Sequence, residues 1–325
     1  MKAVMCTRFG GPELLALSNV DDPVAGEGQA VIDIKACAVN FPDVLMLHDR
    51  YQFKPQLPFS PGGEVAGLVR SVGPGVKGVA VGDRVIASTT IGGLAEQVAS
   101  PADSLTPIPE GVDFVEASGL LYAYGTAHHA LKDRARLQPG ETLVVLGAAG
   151  GVGLAAVDLG RLMGARVIAA ASSEAKLELC RRHGADATIN YETQDLKVAI
   201  RELTDDTGAD VVYDPVGGPY AEPAVRATAW DGRYLVIGFA AGEIPRIPLN
   251  LPLLRGCSVV GVFWGAFARR DPAAHRRSLE ELGAWWRTGQ IRPYVSATYP
   301  LEQAGDAIAE LAERRATGKV VVTVG

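Results

Sequence analysis

A glycine-rich hexad near the middle of the chain has the residue types and spacing of a phosphate-binding turn. It reads Ala148-Ala149-Gly150-Gly151-Val152-Gly153, so an alanine stands at the first glycine position of the usual dinucleotide fingerprint. Glycine lets the backbone turn tightly and lets a phosphate approach the backbone amides. A helix that follows such a turn presents its free N–H groups and the positive end of its dipole. The hexad therefore predicts a site for the pyrophosphate of a dinucleotide.

Polar residues that follow the hexad bear on which dinucleotide binds. NAD sites usually carry Asp or Glu at the end of the next strand, where this chain has Ser172 and Ser173. Lys176 lies one helical turn further on, where an ammonium can meet a 2′-phosphate. This pattern favours NADP(H). Two other interpretations stay open, in which Ser173 is a helix N-cap and Lys176 a solvated surface lysine, while Glu174 complements the helix dipole.

The segments around the hexad provide the context that a dinucleotide turn needs. Thr142–Leu146 is a short apolar run typical of a buried parallel strand, Leu154–Met163 is a helix pattern that stops at Gly164, and Arg166–Ala171 is a second strand. Strand, glycine turn, helix and strand in this order are the arrangement in which the fingerprint is specific.

The wider pattern predicts an α/β protein with two domains. Residues 1–118 are mostly short strands between Gly/Pro turns, which indicates a compact, irregular barrel. From Asp113 to Val262, helical segments alternate with short strands, as in a doubly wound parallel sheet, whose ligands bind at the carboxyl ends of the strands. After Trp264 we expect helices Pro272–Arg287 and Leu301–Arg315 and a strand Lys319–Val324 that packs back on the N-terminal domain. The other predicted strands are Lys2–Cys6, Gln29–Ala38, Glu64–Val72, Arg84–Ala87, Ala95–Val98, Ala187–Asn190, Asp210–Asp214, Arg233–Ile237 and Ser258–Val262.

Composition excludes several classes of function. The 325 residues carry a formal charge of −6 and no basic run, so nucleic acid is not an expected partner. No run of about 18 apolar residues is free of charges and turn residues, so no membrane span is expected. The four scattered cysteines and a start that enters directly into a strand indicate a cytoplasmic protein with reduced thiols.

The order and spacing of short motifs along nearly the whole chain resemble the medium-chain dehydrogenase/reductases, specifically the quinone oxidoreductase and zeta-crystallin branch. The resemblance implies a GroES-like β-barrel catalytic domain at 1–118, a Rossmann NADP-binding domain at 119–262 and a C-terminal return to the catalytic domain at 263–325. The matching motifs are Phe9–Glu13, Val39–Asp43, Pro61–Gly67, Val81–Val85, Gly125–Ala127, Ala148–Gly153, Gly184–Asp186, Asp214–Gly218 and Gly318–Val320.

The same resemblance bears on metal binding. Where zinc-dependent relatives have Cys and His ligands, this chain has Asn40, Gly63 and Tyr122, which cannot replace a thiolate and imidazole set. Residues 86–110, where relatives hold a structural zinc with four cysteines, contain none. We therefore predict no metal.

Without a Lewis acid, the resemblance implies hydride delivery to an acceptor that is already electron-poor, such as a quinone or an activated C=C bond. Asn40 is implied as a donor to a developing oxyanion or as a residue that holds a water molecule. Tyr51, eleven residues later, matches the tyrosine that protonates the product in related enoyl-thioester reductases; otherwise it is an amphipathic residue at the barrel edge. Asp43 is expected to orient the local backbone, and Phe41 and Phe59 to support the pocket.

The resemblance and the strand-end positions together imply a set of cofactor contacts. Thr126 is expected near the nicotinamide or as a helix N-cap, Tyr191 near the adenosine phosphate, and Lys319 as a closing contact or a surface charge. Leu45 stands where some relatives have a cofactor-contacting tyrosine, so the pocket is not a copy of theirs. The predicted cofactor residues are Asn40, Thr126, Ala149, Gly150, Gly151, Val152, Ser172, Ser173, Lys176, Tyr191, Gly238, Phe239, Phe263, Trp264 and Lys319.

Three functions follow in order of preference. The first is an NADPH-dependent quinone reductase without flavin or metal. The second is an enoyl-thioester or enone reductase that uses Tyr51 as the acid, and the third is a non-catalytic NADPH-binding protein. We expect a small quinone or enone as substrate, and a homodimer that pairs through Ser258–Val262 at the sheet edge.

Overall fold

A computed structural model describes all 325 residues of the chain. Its strands are β1 Lys2–Met5, β2 Ala16–Asn19, β3 Gln29–Val39, β4 Glu64–Val72, β5 Arg84–Ser88, β6 Gln97–Pro101, β7 Thr106–Pro107, β8 Thr142–Leu146, β9 Arg166–Ala171, β10 Ala187–Asn190, β11 Ala209–Asp214, β12 Thr228–Val236, β13 Ser258–Gly261, β14 Val295–Pro300 and β15 Lys319–Thr323. Its helices are α1 Phe41–Leu47, α2 Phe114–Ser118, α3 Leu121–His128, α4 Gly151–Leu162, α5 Glu174–Arg182, α6 Leu196–Leu203, α7 Ala221–Arg226, α8 Asn250–Arg255, α9 Trp264–Arg270, α10 Pro272–Arg287 and α11 Ala304–Ala312. None of these helices has both the length and the apolar sequence to cross a membrane.

The chain forms two compact units. The first consists of Met1–Tyr122 and Arg292–Gly325, and the second is the continuous stretch Ala123–Ile291.

The first unit is built on a seven-stranded sheet in the order β14-β15-β3-β4-β5-β7, with β6 also paired to β3. The long strand β3 has three partners because β6 pairs with its first half, β15 pairs with its last four residues, and β4 pairs along the other edge. The pairing with β4 shifts register twice, between Val31 and Ile32 and between Ile34 and Ala36. Such bulges bend a strand and let a sheet curl. Ile32 and Ile34 of β3 lie in the core of the unit, together with apolar residues of the surrounding strands and helices.

The second unit is a six-stranded sheet in the order β10-β9-β8-β11-β12-β13. All five neighbouring pairs are parallel. Counted from β8, this is the strand order 3-2-1-4-5-6 of a doubly wound dinucleotide-binding sheet. The order in which the chain adds strands reverses between β8 and β11, while all strands stay parallel. The predicted fold class is confirmed.

The returning segment begins later than the sequence predicts. Residues 263–291, assigned from the sequence to the return, belong to the second unit. Gly125 explains part of this difference, because a Cβ there would lie 2.8 Å from the indole ring of Trp264. The missing side chain makes room for that indole. Glu281 of α10 also lies 3.1 Å from His128 and forms an ion pair with Lys132. The return therefore starts at Arg292.

Candidate functional site

The glycine turn of the second unit is as tight as the hexad predicts. Gly150 caps α4 with an extended backbone, φ −80° and ψ 170°. A Cβ on Gly153 would lie 2.3 Å from the carbonyl oxygen of Gly147, so no larger residue fits there. The first turn of α4 leaves the N–H groups of Gly151 and Val152 without intrahelical partners. Backbone donors at the start of a twelve-residue helix are a set that suits a pyrophosphate.

The end of β9 carries a small cationic site. The ammonium of Lys176 donates to the hydroxyl of Ser172 at 3.3 Å, and Ser173 caps α5 by accepting from the Lys176 amide at 3.4 Å. The N-cap interpretation of Ser173 is thus correct, while Lys176 is half-buried beside the strand end. Glu174 lies 2.6 Å from Arg181, which neutralises the nearby carboxylate. An ammonium and two hydroxyls without a free carboxylate fit a 2′-phosphate.

Polar and aromatic residues follow the next strands. Tyr191, after β10, packs its ring 4.4 Å from that of Tyr220. Asp214, at the end of β11, accepts from the amides of Val216 and Gly217 at 2.7 and 2.8 Å and from the Tyr234 hydroxyl. Burial raises the pKa of Asp214, and these bonds oppose the rise. Asp214 therefore organises the turn that follows β11.

The remaining predicted cofactor residues of the second unit differ in exposure. Phe239 packs over Gly217, where a Cβ would lie 2.9 Å from its ring. Thr126 lies inside α3, so its alternative role as an N-cap is wrong. Phe263 is 47% exposed, whereas Trp264 is buried. Trp264 therefore has a packing role in this unit, and its cofactor contact remains a prediction.

The first unit contains a buried polar cluster around the start of α1. Asp43 is 1% exposed and accepts from the backbone amides of Asn40 and Gly62 at 2.8 and 2.9 Å. It orients the backbone, as expected from the sequence. Burial raises the pKa of Asp43 to about 6, although both hydrogen bonds and the charge of Lys319 act in the opposite direction.

The amide of Asn40 is fully engaged within this cluster. Its nitrogen donates to the Ala38 carbonyl at 3.2 Å and to Glu64 Oε2 at 3.1 Å, and its oxygen accepts from Lys319 Nζ at 2.7 Å. An ammonium can only donate and a carboxylate only accept, so this orientation of the amide is the one that chemistry allows. Both amide hydrogens are therefore used inside the protein. Asn40 cannot donate to an oxyanion unless one of these bonds breaks.

Glu64 and Lys319 form a buried ion pair beside Asn40. Lys319 Nζ lies 3.1 Å from Glu64 Oε2, and the two side chains are 5% and 0% exposed. The other oxygen of Glu64 accepts from the backbone amide of Tyr122 at 3.0 Å. The interpretation of Lys319 as a surface charge is wrong.

The structure brings together the three positions at which the resemblance places zinc ligands. A Cβ on Gly63 would lie 2.5 Å from the hydroxyl of Tyr122, so the phenol fills the space beside that glycine. Burial raises the pKa of Tyr122, and a hydrogen bond with Ser88 opposes the rise. Lys319 meanwhile bonds to the Asn40 oxygen. No group of three or more His, Cys, Asp or Glu side chains is arranged to hold a metal ion.

Tyr51 follows α1 by a few residues and packs, half-buried, against the core of the first unit. It contributes to the electrostatic environment that raises the pKa of Tyr122. Phe59 is buried in the same core, and Phe41 packs against it, so both have supporting positions.

Sequence reasoning did not identify Glu64 as a site residue, because it appeared only within the motif Pro61–Gly67 and the predicted strand Glu64–Val72. A signal was available, because Glu64 begins the apolar strand Glu64–Val72 and Lys319 begins the apolar strand Lys319–Thr323. Opposite charges in two buried strands indicate a pair, since an isolated charge is rarely buried.

Comparison with known proteins shows which families this chain resembles. Residues 26–110 match the family described as alcohol dehydrogenase GroES-like domain, and residues 151–280 match zinc-binding dehydrogenase. A quinone oxidoreductase-like protein 2 homolog of Nematostella vectensis is 40% identical over 324 residues, 99% of this chain and 88% of that protein. The rat quinone oxidoreductase is 33% identical over 309 residues, 94% of this chain and 92% of that protein.

Solved structures of known proteins are similar to this chain over nearly its whole length. A mycobacterial protein complexed with NADPH is 31% identical, with a TM-score of 0.94 over 99% of this chain and 100% of that one. The quinone oxidoreductase of Escherichia coli complexed with NADPH is 26% identical, with a TM-score of 0.92 over 99% and 100% of the two chains.

Proposed function

The chain belongs to the medium-chain dehydrogenase/reductase superfamily, in its quinone oxidoreductase branch, and on that basis we propose that it is an NADPH-dependent, metal-independent quinone reductase. NADPH, when bound, supplies the hydride. The observation that carries the cofactor assignment is the pairing of Lys176 with Ser172 at a strand end whose nearby carboxylate is neutralised. Relatives that were solved with NADPH support it.

The residues of the chain divide the work of binding. The amides after Gly150 hold the pyrophosphate, and Ser172, Ser173 and Lys176 hold the 2′-phosphate. Tyr191 follows β10 and Phe239 follows β12, and both border the cofactor at the carboxyl ends of the parallel strands. In each case the protein supplies position and charge, which are its share in cofactor chemistry.

The choice of acceptor rests on the donor set of the first unit. Asn40, Gly63 and Tyr122 do not form a zinc site, and the Asn40 oxygen is bonded to an ammonium. Activation of an alcohol needs a group that lowers the pKa of its hydroxyl, which this set does not provide. A quinone is electron-poor without such help. It is therefore the acceptor that this site favours.

The test is steady-state oxidation of NADPH in the presence of EDTA, with 1,4-benzoquinone and crotonyl-CoA as parallel acceptors. We expect turnover with the quinone and little with the thioester. Fast reduction of crotonyl-CoA with slow quinone reduction would contradict the proposal and favour an enoyl-thioester reductase. Tight NADPH binding without turnover of either would favour the non-catalytic protein.

The enoyl-thioester or enone reductase remains a second candidate because of Tyr51. Its side chain is half-buried and packs against the core of the first unit. A phenol in such a position can protonate the carbon of an enolate, a proton that water delivers poorly. Tyr51 would then be the catalytic acid.

We also propose a homodimer formed through β13. This strand pairs only with β12 and ends the sheet. Val259 on it is 47% exposed, and Leu253 and Leu254 of α8 are 76% and 66% exposed. An apolar strand edge of this kind is a surface that proteins usually cover.

A further inference from the structure

The buried cluster of the first unit contains one donor that its partners do not use up. An ammonium carries three N–H groups. Two of those on Lys319 are directed to Asn40 Oδ1 at 2.7 Å and to Glu64 Oε2 at 3.1 Å. The third has no acceptor within the protein, although the side chain is only 5% exposed.

The backbone register places this ammonium. Val320 of β15 pairs with Val39 of β3, so Lys319 falls beside Asn40, which follows β3. Val65 of β4 pairs with Cys37 of β3, which brings Glu64 to the same end of the sheet. Three strands therefore hold the cluster, and its geometry does not depend on a flexible loop.

The energetics argue that the pair has a use besides stability. Moving two charges out of water carries a large desolvation penalty, and well-packed apolar residues often replace a buried pair without loss of stability. A cation kept in a dry site interacts far more strongly with an anion than it would in water. Such a group is suited to stabilise charge that develops during a reaction.

We propose that Lys319 is the oxyanion-binding residue of the acceptor site, donating its third N–H to the quinone oxygen that becomes negative during reduction. This inference rests on the proposed function. The net reaction converts one quinone, one NADPH and one proton to one hydroquinone and one NADP⁺. The quinone gains two electrons and one hydrogen as hydride, and the resulting oxyanion then takes the proton from water or from a side-chain acid.

Within this arrangement Asn40 and Glu64 are positioning residues. Both hydrogens of the Asn40 amide are donated to groups of the protein. Asn40 therefore holds the ammonium through its oxygen and has no hydrogen left to donate to the substrate. Glu64 holds the same ammonium from the other side and keeps the Asn40 amide oriented.

Two variants separate catalysis from a merely structural role. Lys319→Met leaves Glu64 buried without its partner, so loss of activity could reflect poor folding. The double variant Glu64→Gln/Lys319→Met removes both charges together, which relieves that penalty. A structural pair predicts that the double variant recovers quinone turnover. The proposal predicts that it folds, binds NADPH like the wild type by fluorescence titration, and still loses about 100-fold in kcat.

Lys77→Met, the same change at an exposed lysine of the first unit, is the matched control and is expected to leave kcat unchanged. Near-wild-type quinone turnover in the folded double variant would overturn the proposal. If the double variant does not fold, the decision rests on the wild-type protein and a probe that does not depend on turnover.

That probe is 4-nitrophenol, whose phenolate absorbs in the visible range and resembles the reduced quinone oxygen. We expect wild-type protein to bind the phenolate in preference to the phenol, so that the apparent pKa of the bound dye falls below its value in water. Equal values for bound and free dye, or no binding, would contradict an anion-binding Lys319. A wild type that shifts the dye but does not reduce quinones would overturn the proposed function and leave the anion site standing.

Discussion

In the proposed function, selectivity for NADPH over NADH depends most directly on Lys176. Lys176→Glu is expected to weaken NADPH binding about ten- to hundredfold, because a charge-assisted bond is replaced by repulsion with the 2′-phosphate. NADH, which lacks that phosphate, should lose far less. Fluorescence titrations of both coenzymes measure the difference, and Lys197→Glu, at an exposed lysine of the same unit, is the control. Equal losses for both coenzymes would mean that Lys176 does not contact the 2′-phosphate.

Tyr51 distinguishes the two candidate reductases. Tyr51→Phe is expected to slow enone reduction by about 10²-fold or more, because a carbon centre needs a positioned acid. Quinone reduction should change little, since its oxygen can take a proton from water. Steady-state kinetics with both acceptors test this. Tyr299→Phe removes a hydroxyl that is bonded to Glu310 and serves as the control. Unchanged enone turnover in Tyr51→Phe would remove Tyr51 as the acid.

Asp43 predicts a pH dependence of stability. Its pKa rises from 3.8 to about 6 on folding, chiefly through burial. Between those values the folded protein keeps a proton that the unfolded chain has lost, so the contribution of Asp43 to stability is present below pH 3.8 and lost as the pH rises through 6. The loss amounts to about 3 kcal/mol.

Asp43→Asn should remove this loss. Relative to the wild type, its free energy of unfolding in urea is expected to improve by about 2 kcal/mol between about pH 4 and pH 7. The trend with pH is the test, since the amide also disturbs the bonds to Asn40 and Gly62 at every pH. Asp103→Asn controls for the loss of a negative charge at an exposed site. A difference from wild type that stays constant with pH would contradict the prediction.

At the scale of residues, sequence reasoning reached what local spacing determines. Ser173 and Lys176 lie within one helical turn, so their proximity could be predicted. The Lys319–Glu64 contact joins residues 255 positions apart. It exists because β15 and β4 flank β3 in a definite register, which no local pattern encodes. The use of both Asn40 hydrogens follows from that contact and could not be foreseen either.

At the scale of elements, the turn before α4 leaves the least space for a side chain at Gly153 in the second unit. Gly153→Ala would bring a Cβ to 2.3 Å from the Gly147 carbonyl oxygen, so backbone must move. We expect a loss of about 1–3 kcal/mol in unfolding free energy and weaker NADPH binding. Urea unfolding and NADPH titration measure both effects.

Gly283→Ala in α10 is the matched control, because a Cβ there would meet only the end of the Arg287 side chain at 3.4 Å. It is expected to be neutral or to stabilise the helix by up to about 1 kcal/mol. If Gly153→Ala behaved like Gly283→Ala, the close approach at this turn would not constrain the site.

The elements that the sequence missed share a physical cause. β14 alternates half-buried and exposed residues, Val-Ser-Ala-Thr-Tyr-Pro, and lies at the sheet edge, so it lacks the apolar run of a buried strand. β6 begins at Gln97, two residues after the predicted start, because the strand pairs with β3 and its buried residues Gln97 and Ser100 are polar. The inner strands β8 and β9 of the second unit were predicted to the residue, and so was β10 at the edge of the same sheet. Apolar runs therefore locate strands wherever they lie in a sheet, and the signal fails for strands such as β14 whose residues are polar or exposed.

At the scale of the whole molecule, one substitution can test the proposed homodimer. Val259→Arg places a charge on the exposed edge of β13 and should shift a dimer to monomers. Sedimentation equilibrium at micromolar protein gives the mass. Val198→Arg, at an exposed valine of α6, is the control. A wild type that sediments as a monomer, or a Val259→Arg protein that stays dimeric, would contradict pairing through β13.

Because the first unit is made of two separate stretches of chain, its parts are synthesised at different times. Ala123–Ile291 is continuous and is synthesised whole before β15 exists. Until β15 arrives, the Ala36–Val39 edge of β3 has no partner on that side. An unpaired edge is a surface through which chains aggregate, so the nascent protein is most vulnerable late in translation. A stop codon at Lys319 would remove β15, and that single change would delete the ammonium, leave the Glu64 carboxylate buried without its cation and open the sheet.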